Sequence, residues 1–543
     1  MLHIMLTSMW GACCFILLVL CQVQGSQRIE PLVQTEVGLI RGLQAEDGDY
    51  AMFLGVPYAK VNEDNPFGEA QPYPKFTETF EALDDSAVCP QTDLFSKQLV
   101  GTLDCLHLNI YVPNKATSQN KLPVIVWIHG GGFSFGSGKR AEFGPKFLVR
   151  HDVVLVTINY RLGVYGFMCS DSVEVPGNQG LKDQYLALKW VKTNIASFGG
   201  DENKITVMGE SAGSMSVDYH LLSKREKFFK RAILQSGSAL CPKEFVQSDD
   251  KAAMKIAKHL GFETDNIIDA INFLSKQNEK VVISATQELN MYFRACAEKD
   301  FENVEKFVSE DPGITTPEVK GISILMGYNS HEQMGVYSND TKEFYDSLKN
   351  FLYNDGDEFV DEDNVVRHFY IGDEEISVSK KKSLIAFASD YKFNHPIQRS
   401  VIRYNQSEVE SVYHYVFSYS GERKMIQRLL NIAEGGASHA EELGYLFDFN
   451  MFPGEPSPED QLMIDRMTAM WTNFAKYGDP TPNVTDLLPV KWLPVSNYLY
   501  ALNINTSGKM HKRPYHSRMA FWDLYLKMKD LSDKLRIDYP QLI

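Results

Sequence analysis

The chain has no excess of positive charge. Its 543 residues carry 54 Lys and Arg against 70 Asp and Glu, a formal net charge of −16. A surface of that sign repels phosphate backbones, so no nucleic-acid partner is expected. Past residue 25 there is no apolar run long enough to cross a bilayer. The final residues, Asp538-Tyr539-Pro540-Gln541-Leu542-Ile543, match neither a lipid-anchor tail nor a retention signal, so no stable membrane anchor is expected. No Cys/His spacing fits a metal site, and neither a metal nor a cofactor enters the reading. The chain shows no internal repeat, low-complexity tract or linker, which points to one domain over 26–543.

The first 25 residues lack Asp, Glu, Lys and Arg altogether. They contain the short apolar run Phe15-Ile16-Leu17-Leu18-Val19-Leu20 and end on Val23-Gln24-Gly25, a small residue before Ser26. This reads as a signal peptide over 1–25, and hence as a secreted, extracellular protein. Four sequons, at Asn339, Asn405, Asn483 and Asn505, fit glycosylation during export. Of eight cysteines, three fall in the leader. In an oxidising compartment the other five favour pairing. Cys89 with Cys105 closes a short loop and is the first choice, Cys241 with Cys296 the second, which leaves Cys169 as a buried thiol.

What the chain does have is α/β alternation. Leu32–Val37 and Gly38–Gly42 read as an antiparallel entry, and 61–100 as Pro-, Asp- and Gly-rich loops. Pro123–Ile128 and Val153–Ile158 are unbroken apolar runs, the pattern of strands buried on both faces of a mainly parallel sheet. Leu181–Ser197 has helical periodicity. Ile205–Met208, Ala232–Gln235, Ile322–Met326 and Val412–Phe417 continue the sheet, and 341–410 reads as a helical insertion.

Gly209-Glu210-Ser211-Ala212-Gly213 follows one of those strands and opens a helix. That is the context of a nucleophile elbow, a sharp strained turn that lifts a serine hydroxyl above the sheet edge. Small neighbours leave room for the turn, and the helix N-terminus favours developing negative charge at Ser211. His129-Gly130-Gly131-Gly132-Phe133 leaves another strand end with three bare backbone N–H groups, suited to a tetrahedral oxyanion. It lacks the ending of a phosphate-binding P-loop. With the N–H of Ala212 these glycines would form a three-donor hole.

A serine hydroxyl needs a base to take its proton, and the base an acid to orient it. Many residues after Ser211 qualify by spacing alone. Glu332 stands out on a strand-end loop, Gly327-Tyr328-Asn329-Ser330-His331-Glu332, and His439 in the small-residue loop Gly436-Ala437-Ser438-His439. His331 reads as a loop residue. His220, His259, His368 and His414 read as packing or surface positions.

Taken together these residues resemble the type-B carboxylesterase and cholinesterase-like family of the α/β-hydrolase fold, most nearly its insect secreted, antennal-type esterases. Further blocks carry the resemblance: Phe53–Ala59, Asp104–Tyr111, Asn159–Gly163, Asn178–Gln184, Phe198–Asp201 and Gln235–Gly237. The resemblance implies a large, mixed, mostly parallel sheet flanked by helices with helical insertions. It implies a triad of Ser211, Glu332 and His439, an oxyanion hole of Gly131, Gly132 and Ala212, and Glu210 and Ser236 behind them. It also supports the Cys89–Cys105 pairing. The implied activity is hydrolysis of small-molecule carboxylic esters, whether odorant, pheromone, dietary or xenobiotic. A non-catalytic adhesion protein on the same fold, or a lipase, is the alternative. Departures from the family pattern narrow the substrate. Leu103 replaces a Glu, and the segment Asp64–Gly68 replaces the block bearing its Arg partner. Gln333 replaces a Gly. The Cys89–Cys105 loop has no Trp to hold a quaternary ammonium, so choline esters are disfavoured. Glu210 replaces the Gln of juvenile hormone esterases, which disfavours that assignment too.

Overall fold

The computed structural model describes residues 31–94, 96–335, 365–432 and 435–538. The leader and Asn339 lie outside the described residues, as does the first part of the segment read as a helical insertion.

Eleven strands form the central sheet: β1 (Leu43–Gln44), β2 (Tyr50–Pro57), β3 (His107–Pro113), β4 (Leu122–Ile128), β5 (Val154–Ile158), β6 (Gly200–Glu210), β7 (Arg231–Gln235), β8 (Ser323–Asn329), β9 (Ser411–Phe417), β10 (Ala501–Ile504) and β11 (Lys509–His511). Their spatial order is β11-β10-β9-β8-β7-β6-β4-β5-β3-β2-β1. Pairing is parallel from β5 through β4, β6, β7, β8 and β9 to β10, and antiparallel at both margins. This is the mixed, mostly parallel sheet expected from the sequence. The entry hairpin Leu32–Thr35 with Gly38–Arg41 sits apart in a small sheet of its own.

The apolar runs have a physical cause that alternation makes plain. Along β4, Val124, Val126 and Ile128 face one core while Ile125 and Trp127 face the other, and all five are fully buried. A strand covered on both sides has no polar face to present. One cover includes α1 (Gln179–Asn194) and α2 (Ala212–Leu222). The other includes α5 (Pro458–Tyr477), reached after α3 (Lys381–Ser389) and α4 (His395–Asn405). Helix α5 is locally well specified. Ser457 caps it by accepting the Asp460 N–H, Pro458 opens it, Glu459 and Asp460 meet its positive end, and Gly478 at φ 73° ends it. Its Trp471 Nε1 donates to Gln235 Oε1 at 2.9 Å, which ties the helix to the end of β7.

Cys89 and Cys105 are bonded. The second pairing expected from the sequence is wrong: the structure joins Cys169 to Cys296 and leaves Cys241 as a buried thiol. Asn178 explains the difference. Its side chain donates to the Cys296 carbonyl at 2.9 Å and accepts from the Cys296 N–H at 3.0 Å, which pins that segment beside the chain leaving Cys169. Gly177 leaves the room, since a Cβ there would lie 2.7 Å from both sulfurs. Cys241 instead sits in the turn after β7, where burial pushes its thiol far above the usual range.

Candidate active site

Strand β6 ends at Glu210 and α2 begins at Ala212, so Ser211 carries the whole reversal with φ 55° and ψ −124°. A non-glycine residue at positive φ is strained, and the surroundings hold it there. The Ser211 N–H donates to the Gln235 carbonyl at 2.9 Å, and its own carbonyl accepts from Met215 at 2.9 Å. Gly213 allows α2 to lie against β4: a Cβ on it would come within 2.0 Å of the Ile128 carbonyl oxygen. The serine hydroxyl makes no hydrogen bond among the described residues.

The glycine loop after β4 approaches from the adjacent strand. Gly131 is required, because its φ is 102° and a Cβ would meet the Phe135 carbonyl at 1.9 Å. Among the described residues the N–H groups of Gly131, Gly132 and Ala212 donate to no acceptor. Gly131 and Gly132 line the same cavity as Ser211 and Ala212 opens α2, so these N–H groups are candidates to receive an anion.

Glu332 and His439 come from loops after β8 and β9 that are zipped together. His331 N–H donates to the Ala437 carbonyl at 2.9 Å, and His439 N–H to the Glu332 carbonyl at 3.1 Å. The side chains follow: His439 Nδ1 lies 2.7 Å from Glu332 Oε2, and Glu332 Oε1 accepts the Asn329 N–H at 2.7 Å. The other imidazole nitrogen, Nε2, sits 3.2 Å from Glu210 Oε1, a charge contact without hydrogen-bond geometry. Phe393 stacks on the imidazole at 4.6 Å between ring centres.

This cluster is electrostatically unusual. Burial raises the Glu210 carboxyl well above the usual range, against the nearby imidazole. Burial alone would lower His439, but the Glu210 carboxylate first, then the Glu332 hydrogen bond, hold it above the usual histidine range. Each therefore bears on the other's proton: a charged Glu210 favours the imidazolium, and the imidazolium favours a charged Glu210.

Ser211, Glu210, His439 and Gly130–Gly132 open onto one cavity of about 540 Å³. Much of the rest of its wall is apolar, including Leu94, Phe143, Met425, Leu443 and Phe449, while Asp93 and Glu142 add two carboxylates. Its size is that of a small-molecule site.

The structure thus brings Ser211, Glu332, His439, Gly131, Gly132, Ala212 and Glu210 into one place. Ser236 is buried beside the elbow at φ 52°, its hydroxyl without a partner among the described residues. The positions read as packing histidines stay away from the cavity. Sequence reasoning missed Asn329, Phe393 and the buried Glu442, which accepts from Gln235 Nε2 at 3.0 Å and Asn329 Nδ2 at 2.5 Å. Gln235 opens a quoted block and Asn329 lies in a quoted loop, but nothing local marks Phe393 within its helical segment. The departures from the family pattern are also accommodated. Asp104 lies 3.3 Å from His107, and Arg161 fills the region of Asp64–Gly68 by donating to the carbonyls of Pro66 and Gly68 at 3.0 and 2.7 Å.

Comparison with known proteins places the chain in a family. Residues 29–522 match the model of the carboxylesterase family. Esterase FE4 of Myzus persicae is 32% identical over 475 residues, spanning 82% of each chain. The juvenile hormone esterase of Heliothis virescens is 31% identical, covering 91% of this chain and 94% of its own length. The crystal structure of juvenile hormone esterase from Manduca sexta, with OTFP covalently attached, superposes with a TM-score of 0.80 at 29% identity, over 92% of this chain and all of that one. The chain belongs to the carboxylesterase family, has its α/β-hydrolase fold, and is a carboxylic ester hydrolase.

Proposed function

We propose that this chain is a secreted serine carboxylesterase that works through Ser211, His439 and Glu332 and a covalent acyl-enzyme. The observation that carries the reading is the 2.7 Å contact between Glu332 and His439, with His439 opening onto the same cavity as Ser211 and the unspent N–H groups. As Ser211 Oγ attacks the ester carbonyl, His439 Nε2 takes its proton. Glu332 holds the opposite nitrogen as a donor and stabilises the imidazolium. The oxyanion accepts from Gly131, Gly132 and Ala212. The alcohol then leaves with the proton from His439, and water, activated by the same base, releases the acid. Ser211 Oγ and Nε2 are not hydrogen-bonded at rest, and such contacts tighten on substrate binding.

The natural ester is proposed to be small and largely apolar, of the odorant, pheromone, dietary or xenobiotic kind, since most of the cavity wall is apolar. Secretion rests on the charge-free leader and on sequons at Asn483, which is exposed, and at the half-buried Asn405 and Asn505.

A dialkyl p-nitrophenyl phosphate should inactivate the protein with release of one p-nitrophenolate per chain. Peptide mass spectrometry should find the phosphoryl group on Ser211. Adduct on another residue, or full activity after stoichiometric labelling, refutes the assignment.

The acid limb of kcat/KM reports the base. His439 works only when neutral, so the rate rises with pH. Because the neighbouring carboxylates favour the cation, the midpoint should lie above the ordinary value of about 6.5. Glu210→Gln removes the strongest of those charges and should move the midpoint to lower pH. A midpoint that stays in place, or moves up, means that Glu210 does not bear on the base.

A further inference from the structure

Gly132 has a second face. Among the described residues, and apart from its chain neighbours, a Cβ built on it meets only Arg294 Nη2 within 4 Å, at 3.9 Å. Open space beside an oxyanion-hole residue is therefore bounded by a guanidinium.

Arg294 is held in place. It precedes the Ala295–Cys296 strand, which pairs with Phe245–Val246, and the Cys169–Cys296 bond anchors that strand. Arg294 Nε donates to Glu244 Oε2 at 2.8 Å and Nη1 to the Phe293 carbonyl at 2.9 Å, while the group lies 6.0 Å from the Phe133 ring centre. Nη2 makes no hydrogen bond among the described residues. Nor does Glu244 cancel the charge, because Lys392 Nζ also binds it, at 2.6 Å. Two cations share one carboxylate. The side chain of Arg294 keeps 16% exposure, so solvent and its ions still reach the guanidinium and added salt competes for it.

The direction of the substrate follows from the chemistry proposed above, on which this inference rests. The acid that protonates the leaving oxygen is His439, so the alcohol part lies in the carboxylate-bearing cavity that His439 lines. On that assignment the acyl part lies on the open face of Gly132, toward Arg294, which is outside that cavity's lining. A cation with a free N–H on that side rewards an acceptor there, and most of all an anion. We propose that Arg294 is a specificity-determining residue that makes the enzyme prefer esters whose acyl chain ends in a carboxylate or comparable anion, such as half-esters of short dicarboxylic acids.

The test compares monoethyl glutarate with its neutral isostere bearing isopropyl in place of the carboxylate, by kcat/KM from acid release. The anionic ester should be favoured about tenfold, the scale of one charge-assisted hydrogen bond, and the ratio should fall toward one as salt rises from about 20 to about 500 mM. Arg294→Leu should remove the preference and Arg294→Lys should keep part of it. The salt series on the unaltered protein decides the matter even if the leucine variant does not fold. A second pair carries the carboxylate on the alcohol of an acetate ester and should show no such preference. A wild-type ratio at or below one, a ratio indifferent to salt, or a preference confined to the alcohol-side pair overturns the inference. Each leaves the esterase reading intact so long as neutral esters turn over. Failure of every ester tested, with no organophosphate adduct on Ser211, overturns that reading as well.

Discussion

Replacing Ser211 with Ala should lower kcat for a short neutral ester by roughly a millionfold, the loss seen when a nucleophile of this kind is removed. The expectation rests on the isolation of the hydroxyl. The backbone of Ser211 is held by Gln235 and Met215, but its Oγ has no partner among the described residues. Ala faces the same φ of 55° as Ser, so the elbow keeps its strain and its shape. The unfolding midpoint should hence stay within a few degrees while turnover collapses. Stopped-time assays at high enzyme concentration, with thermal denaturation in parallel, separate the two. Residual hydrolysis within a hundredfold of the parent would show that another group delivers the attack.

Glu332→Gln should cost a factor of about ten thousand in kcat with little change in KM, the scale reported when a triad carboxylate loses its charge. Here the cause can be followed atom by atom. One oxygen of Glu332 already accepts the Asn329 N–H at 2.7 Å, and the other faces His439 Nδ1 at 2.7 Å. Glutamine has one acceptor. If its carbonyl oxygen stays on Asn329, its NH2 group points at Nδ1 and forces that nitrogen to accept. The proton then sits on Nε2, the atom that must receive one from Ser211. Turning the amide over restores the tautomer only by setting NH2 against the Asn329 N–H. Glu332→Asp keeps the charge and should fall between the two. Pre-steady-state measurement of acyl-enzyme formation distinguishes this from a binding defect. Equal kcat in the glutamine variant would mean that Glu210, 3.2 Å from Nε2, or another group orients the ring.

Much of this was legible in the chain itself, and the reasons are local. A strand buried on both faces must be apolar throughout, so β4 and β5 announced themselves. A turn that admits no side chain must be glycine, so the elbow and the loop at Gly130–Gly132 did too. Glu332 and His439 were visible only as polar residues on loops after apolar strands, and their meeting depends on two backbone hydrogen bonds between those loops. The partner of Cys169 was not legible. It is set by Asn178, whose side chain reads the backbone of Cys296 from 118 residues away, and no spacing rule encodes that. Phe393 was hidden for the same kind of reason. It packs on the imidazole from a π-helical turn, Asp390–Asn394, between α3 and α4, where one extra residue per turn re-aims the side chain.

The Cys169–Cys296 bond closes a ring of chain that includes Ser211 and Arg294 but neither Glu332 nor His439. Within it the stretch around Glu263 and Asp265 lies on the surface. A protease that severs the chain there leaves both pieces stapled to each other, with the serine turn and the guanidinium still in register. Such a nicked molecule would pass for an uncut one until a reducing agent is added.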